Sequence, residues 1–202
     1  MFSHIEDISH KIETTLDLNE YQYDCRWEVA VENALEPLHL PEIHAESLNL
    51  LDLDGGKIVT DVGGLFFDHQ IQNKRYRKSL EILKPKLSDS SFPSTYHSAY
   101  LYPFTFISST YGLSFSIQTF FPTTSDFQTN FSSKLFAPKL QKEEYNNLFS
   151  SFFDSTIKTN RQVFEEDYIA TKNTVNLKKH WLGPLAKSEE KIKWFRKKLG
   201  ES

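Results

Sequence analysis

Apolar residues recur along this chain with a period that changes twice. In residues 2–16 and 27–38 they fall three and four positions apart, a spacing that predicts two amphipathic helices. After Glu46 they alternate or form short apolar runs, and beyond Lys142 the helical spacing returns. The predicted order is therefore two helices, a run of strands and a helical C-terminal region.

The middle of the chain has the pattern of antiparallel strands. Its first part, LNLLDLDGGKIVTDVGGLFFDHQI, contains apolar stretches broken by two glycine pairs. Residues 72–94 are charged and then contain Ser and Pro, which predicts a surface excursion. Residues 96–137 are strand-like, and within them Leu113, Phe115 and Ile117 alternate with polar residues, which indicates one buried face.

Two helices are predicted in the C-terminal region, a long one over residues 142–176 and a final one over 188–199. Helices grouped around a run of antiparallel strands make the fold class α+β. A length of 202 residues fits one sizeable domain, so we expect a single domain over residues 1–202.

Composition narrows the classes of function. The formal net charge of −4 argues against nucleic acid as a partner, and no apolar run approaches the roughly 18 residues that cross a bilayer. The N-terminus lacks the apolar core of a signal peptide, so we expect a cytoplasmic protein with no membrane partner. Cys25 is the single cysteine, which excludes an intrachain disulfide and a multi-cysteine metal site.

Positive charge is concentrated at the C-terminus. Residues 178–202 contain eight Lys and Arg against three Glu, a net charge of +5 that leaves −9 for the rest of the chain. A solvated amphipathic terminal helix explains this excess, and a docking face for an acidic redox partner is the alternative.

A histidine pair lies in the segment ENALEPLHLPEIH, where His39 and His44 are five residues apart. In a regular helix that spacing would point the two side chains about 140° apart, so they could not converge on one metal ion. Pro41 removes a backbone donor and disfavours helical geometry at the residue before it. We expect the helix to stop or kink after His39 and bring His44 back toward it; an incidental pair of solvated histidines is the alternative.

The long predicted helix offers a third ligand. Asp167 lies about 60° from Phe164 around the helix axis, inside the apolar stripe, whereas Glu165 and Glu166 should point toward solvent. A buried carboxylate needs a cation or several donors, which a salt bridge, a helix cap or a metal shared with the two histidines would provide. Two imidazoles and one carboxylate form the facial triad that binds Fe(II), and zinc fits the same ligands.

Several segments, in order, resemble the catalytic domain of Rieske-type ring-hydroxylating oxygenase α subunits. They cover nearly the whole chain and read RWEVAVENALEPLHLPEIH, YLYPFTFISS, IQTFFPTTSDFQTNFSSKLFAP, VFEEDYIATKNTV and GPLAKSEEKIKWFRKKL. The resemblance implies a helix-grip fold of the START and Bet v 1 type, in which an antiparallel sheet grips a long C-terminal helix over a cavity.

The resemblance also implies roles for individual residues. His39, His44 and Asp167 correspond to the iron ligands. Glu36 corresponds to the bridging acid, usually Asp, which hydrogen-bonds a ligand histidine and leads electrons in from a neighbouring subunit's cluster. Glu occurs at this position in some branches of the family, and in this respect the chain resembles the quaternary-ammonium monooxygenases.

The cysteine content departs from the family pattern. The family's N-terminal Rieske domain holds a [2Fe–2S] cluster through two Cys and two His, which a chain with one cysteine cannot do. We therefore expect no Rieske domain and no iron–sulfur cluster here, and electrons from a separate Rieske or ferredoxin protein and its reductase. The family favours homotrimers because electrons cross between subunits. That reason is missing here, so the oligomeric state, including a homotrimer, stays open.

The leading hypothesis is a mononuclear non-haem Fe(II) oxygenase that hydroxylates an apolar, aromatic small molecule with O2, in aromatic compound catabolism. A non-catalytic helix-grip ligand-binding or regulatory protein descended from such an oxygenase is the alternative, and a zinc hydrolase comes third. Four aromatic residues are candidates for the substrate cavity, with core packing as their alternative role: Phe104, Phe106, Phe120 and Phe164. Three histidines have no assigned role and are expected on the surface or in strands: His69, His97 and His180.

Overall fold

Seven antiparallel strands form one sheet in the computed structural model of the chain, which describes residues 2–54, 56–172, 174, 185 and 189–200. The strands follow the sheet in the order β1-β7-β6-β5-β4-β3-β2. Their bounds are β1 Ile12–Tyr23, β2 Lys57–Asp61, β3 Gly64–His69, β4 Tyr96–Leu101, β5 Thr105–Thr110, β6 Phe115–Pro122 and β7 Thr129–Pro138.

Helices precede, interrupt and follow this sheet. Their bounds are α1 Phe2–Lys11, α2 Trp27–Leu35, α3 Leu40–Ile43, α4 Lys74–Leu83, α5 Asn146–Thr171 and α6 Glu190–Lys198. The 26-residue helix α5 packs against α2 and β1. The predicted α+β fold class, with an antiparallel sheet and a long C-terminal helix in the helix-grip arrangement, is confirmed.

Aromatic rings fill the space between the sheet and the helices. The ring of Phe164 on α5 lies 4.9 Å from that of Phe131 on β7, and the Tyr23 hydroxyl donates a 2.9 Å hydrogen bond to the Phe164 carbonyl. Leu35 from α2 and Phe195 from α6 are buried in the same cluster. One core therefore fixes α2, α5 and α6 against the same sheet, so residues distant in sequence are held close together.

The predicted helix over residues 2–16 is wrong in its second half. The chain is helical only as far as Lys11, and residues from Ile12 form β1, the edge strand that pairs antiparallel with β7. The segment ETTLDLNEYQY is rich in the alternating, β-branched and aromatic residues that a half-buried strand favours. Pairing with a 10-residue neighbour outweighs the helical spacing of a few apolar residues.

The other predicted boundaries need smaller corrections. The predicted excursion over residues 72–94 contains α4, whose first turn is capped by the Asn73 side chain accepting hydrogen bonds from two backbone N–H groups. The long helix predicted over 142–176 spans Asn146–Thr171, and the final one predicted over 188–199 spans Glu190–Lys198. Residues 173, 175, 176 and 188 lie outside the described part of the chain. Within that part, none of the helices has the length and apolar character needed to cross a membrane.

Candidate metal centre

The two prolines shape the backbone between the histidines, although not as the sequence predicts. Helix α2 ends at Leu35 rather than after His39, because Glu36 precedes Pro37 and is extended, with φ −80° and ψ 120°. Pro41 then lies in the first turn of the short helix α3, a position where its missing N–H has no cost. The two histidines flank this helix, and their ring centroids lie 4.9 Å apart.

His39, His44 and Asp167 come together as one cluster. One ligand atom of each residue lies within 4.8 Å of the others, a group found among the described residues. Oδ1 of Asp167 is 3.1 Å from Nε2 of His44 and 3.9 Å from Nε2 of His39. Ligand atoms about 2.0–2.2 Å from a common ion lie roughly 3 Å apart at right angles. The His44–Asp167 separation matches this value and the His39–Asp167 separation is longer, and the three residues together could hold one small divalent cation.

The second ring nitrogen of His44 binds a carboxylate that the sequence assigns to solvent. Nδ1 of His44 is 2.7 Å from Oε2 of Glu166, and the Ser47 hydroxyl donates to the same oxygen at 2.6 Å. The expectation that Glu166 points away into solvent is therefore wrong. A carboxylate behind a histidine fixes the tautomer, so Nδ1 carries the proton and Nε2 faces Asp167.

The surroundings of the two imidazoles shift their pKa values in opposite directions. Burial opposes a positive charge on His44, but its hydrogen bonds with Asp167 and Glu166 outweigh burial, so the pKa of His44 is raised. For His39 burial prevails over the attraction of Asp167, and the pKa is lowered. A cation at the cluster would take the place of the His44 proton, because a metal ligand must be deprotonated.

One ring nitrogen of His39 has no hydrogen-bond partner among the described residues. Nδ1 is buried and forms no hydrogen bond with the described residues; the nearest carboxylate oxygen, Oε2 of Glu36, is 3.4 Å away. The Glu36 carboxylate instead accepts the backbone N–H groups of Leu38 and His39. Glu36 thus lies beside His39 through a turn.

Asn33 completes the surroundings of Asp167. Its side-chain amide donates a 2.7 Å hydrogen bond to Oδ1 of Asp167, across 134 positions of sequence. A carboxylate that faces two imidazole nitrogens and one amide is a donor set that fits a divalent cation. Sequence reasoning missed Asn33, Ser47 and Glu166, and only the glutamate, as the neighbour of Asp167, offered a signal.

The cluster lies on the wall of a cavity of about 100 Å³, and a second cavity of about 390 Å³ shares several of its wall residues. Phe106 lines the first cavity and Phe164 lines both. Phe104 packs against Trp27, and Phe120 packs against a core ring, so neither lines these cavities. The structure therefore places two of the four aromatic candidates at the cavity and two in packing positions.

Of the three histidines without an assigned role, the two that the structure describes lie in strands. His69 ends β3, and its Nδ1 bonds the backbone carbonyl of Asp54. His97 is buried on β4, with Nδ1 2.9 Å from Oδ1 of Asp68. His180 lies outside the described residues. Of these two described histidines, His69 lines the cavity of the cluster and His97 does not.

Replacing Glu166 by glutamine tests its support of His44. The change removes the negative charge behind the imidazole while it keeps the size of the side chain. We expect iron affinity to fall about 10- to 100-fold, as is typical when such a partner is lost. The measurement is anaerobic competition for Fe(II) with a coloured chelator, with Glu165→Gln, exposed on the same helix, as the control. Equal affinity in both variants would contradict this role.

A protein-family model described as "Ring hydroxylating alpha subunit (catalytic domain)" matches residues 6–201. No curated protein matches the chain. Among solved structures, the chain is similar to the quaternary ammonium Rieske monooxygenase CntA in complex with an inhibitor (TM-score 0.66, 15% identity, 92% of this chain and 48% of that one). It is also similar to NdmA of Pseudomonas putida CBB5 with theobromine (TM-score 0.57, 16% identity, 91% of this chain and 49% of that one). A third similar structure is dicamba monooxygenase bound to dicamba (TM-score 0.59, 9% identity, 91% of this chain and 57% of that one).

These likenesses bear on the fold and on the extent of the chain. At identities of 9–16% they show a shared fold. The chain spans about half the length of the solved structures that it matches. The described cluster lies within residues 6–201, which the family model matches.

Proposed function

Because this chain belongs to the family of ring-hydroxylating α-subunit catalytic domains, we propose that its 202 residues form the iron-binding catalytic domain of an oxygenase. In this proposal His39, His44 and Asp167 hold one Fe(II). The observation that supports it most is the convergence of two imidazole nitrogens and one carboxylate oxygen within 4.8 Å. When bound, a ferrous ion in such a triad supplies O2 activation at the coordination positions left open.

The surrounding residues orient the ligands and exclude water. Glu166 and Ser47 hold His44 so that Nε2 faces the cluster, and Asn33 holds the Asp167 carboxylate. His44 is only 1% exposed, and it lines the same cavity as Phe106. A water-poor site with preset ligands lets the substrate lie against the metal with little rearrangement.

The apolar part of the substrate would pack on the cavity walls. Phe106 and Phe164 provide aromatic surface beside the cluster. The adjoining cavity of about 390 Å³ has the size of a site for a small molecule. We propose hydroxylation of a small apolar or aromatic molecule, by monohydroxylation or dihydroxylation.

Electrons would reach the site from a Rieske or ferredoxin protein and its reductase. The 202 residues contain one cysteine and therefore cannot supply the two that a Rieske cluster needs. Glu36, beside His39 and at the cavity, is the proposed bridge to such a donor. In a homotrimer of these residues each neighbouring copy would also lack the cluster, so electrons would still come from the separate donor.

The test combines iron content with oxygen consumption. Protein reconstituted anaerobically should retain about one iron per chain, as expected for a mononuclear site. With NADH, a reductase and a ferredoxin, O2 uptake should depend on the iron and on an added substrate, and ¹⁸O2 should label the product. Uptake that is the same without iron would contradict the proposal. Iron-dependent ligand binding without uptake would instead favour the non-catalytic binding protein.

A further inference from the structure

One lysine of the C-terminal helix faces inward. Lys191 is 6% exposed and lines the cavity that contains the histidine–aspartate cluster. Its neighbours Ile192 and Phe195 are buried, whereas Lys193 and Lys197 on the same helix are exposed. Lys191 therefore differs from the solvated basic residues that the charge pattern predicts for this segment.

The ammonium group of Lys191 has no anionic partner in the described part of the chain. It forms no salt bridge and no hydrogen bond there, and its contact is with the face of Phe67, whose ring centroid lies 4.2 Å from Nζ. Burial lowers the pKa of Lys191 to about 8, against the attraction of Glu36, so the group is still mostly protonated at pH 7. A buried cation that lacks a counter-charge is rare, because burial removes its hydration.

The two carboxylates that line this cavity, Glu36 and Asp167, form salt bridges with histidines and none with Lys191 among the described residues. Glu36 lines the same cavity, but its carboxylate oxygens accept the backbone N–H groups of Leu38 and His39. Burial lowers the pKa of His69, which lines the same cavity, so this imidazole is neutral at pH 7. Lys191 is thus a buried positive charge that Glu36 attracts through space, with no anion of the described residues in direct contact with it.

We propose that Lys191 binds the carboxylate of the substrate, so the substrate is a small organic acid with an apolar or aromatic body. The inference deepens the proposed function and rests on it for the statement that this cavity is the active site. A carboxylate would receive charge-assisted hydrogen bonds from Nζ, which are stronger than neutral ones in a buried setting. The apolar body would extend past Phe106 toward the histidine–aspartate cluster.

The test compares acids with their neutral amides. Benzoate, phenylacetate, 4-hydroxybenzoate and cyclohexanecarboxylate are titrated against the whole, metal-free chain in EDTA by calorimetry, each beside its amide. Working without metal prevents a carboxylate from binding to iron instead. We expect at least one acid to bind about tenfold or more tightly than its amide, the size expected of a charge-assisted contact. If no acid in the panel is preferred, the inference is overturned.

Variants then locate the preference. Lys191→Met and Lys191→Gln should bind acid and amide equally, whereas Lys193→Met on the exposed side of α6 should keep the wild-type preference. A preference that survives in both Lys191 variants would overturn the inference. Iron content is measured in parallel: variants that bind iron but no longer prefer acids support both proposals. Wild-type protein that prefers acids but retains no iron would contradict the proposed function and leave the anion site standing.

Discussion

Replacing Asp167 by alanine should abolish iron binding by this chain. The variant keeps two imidazoles, and Nδ1 of His44 still faces Glu166, but the carboxylate that faces both Nε2 atoms is gone. Loss of a partner behind a ligand typically weakens metal binding 10- to 100-fold, so we expect loss of a ligand to cost more than about 100-fold. Iron per chain is measured after anaerobic reconstitution and desalting.

Matched variants distinguish loss of a ligand from loss of structure. Glu165→Ala removes a carboxylate two residues away, on the exposed side of α5, and should retain iron as the wild type does. Asp167→Asn keeps the side-chain size but removes the charge, and should lose iron as the alanine variant does. Circular dichroism should show α5 intact in all three. Retention of one iron per chain by Asp167→Ala would refute the assignment of the ligands.

The candidate site could be predicted from the sequence because its ligands break local patterns. Pro37 and Pro41 interrupt a helix around His39, and Asp167 lies in an apolar stripe. Such breaks indicate residues placed for chemistry rather than for packing. The cluster that the structure forms from His39, His44 and Asp167 agrees with that expectation, although the role of the prolines differs in detail.

The contacts of Glu166 could not be predicted by the same reasoning. The spacing of apolar residues along a helix indicates only the side that faces the core, and a helix can have contacts on its other sides as well. The apolar stripe of α5 faces the core, so a residue next to Asp167 but outside the stripe is assigned to water. The loop that follows α3 covers this flank and brings His44 and Ser47 to the Glu166 carboxylate. An irregular loop has no periodic pattern of apolar residues, so the residues that it contacts can be identified only from the structure.

Strand β1 illustrates the same limit for the fold. Residues 12–16 continue the apolar spacing of α1, and local pattern alone favours a helix there. Their conformation is decided by β7, more than 100 residues later, which pairs Ile12 with Pro138 and Tyr23 with Thr129. Strand propensity depends strongly on such neighbours. The four strands over residues 96–137 were predictable because they pair mainly with one another.

Replacing Phe195 by alanine should destabilise the protein more than any surface change, because this residue attaches α6 to the core. Its side chain is 0% exposed, and its ring lies 5.8 Å from those of Trp27 and Tyr100. Truncating a buried Phe to Ala typically costs about 3–5 kcal/mol, from lost burial and from the cavity that remains. We expect the free energy of unfolding in urea to fall by that amount.

Phe127→Ala is the matched control, because it removes the same atoms from a side chain that is 39% exposed. Exposed substitutions usually change stability by less than about 0.5 kcal/mol, so the two variants should differ several-fold. Equal losses would show that α6 contributes little to the core. Lys191 lies one helical turn before Phe195, so loosening α6 should also weaken the preference for acids, whereas Phe127→Ala should preserve it. Packing of α6 and recognition of the substrate's charge would then depend on the same ring.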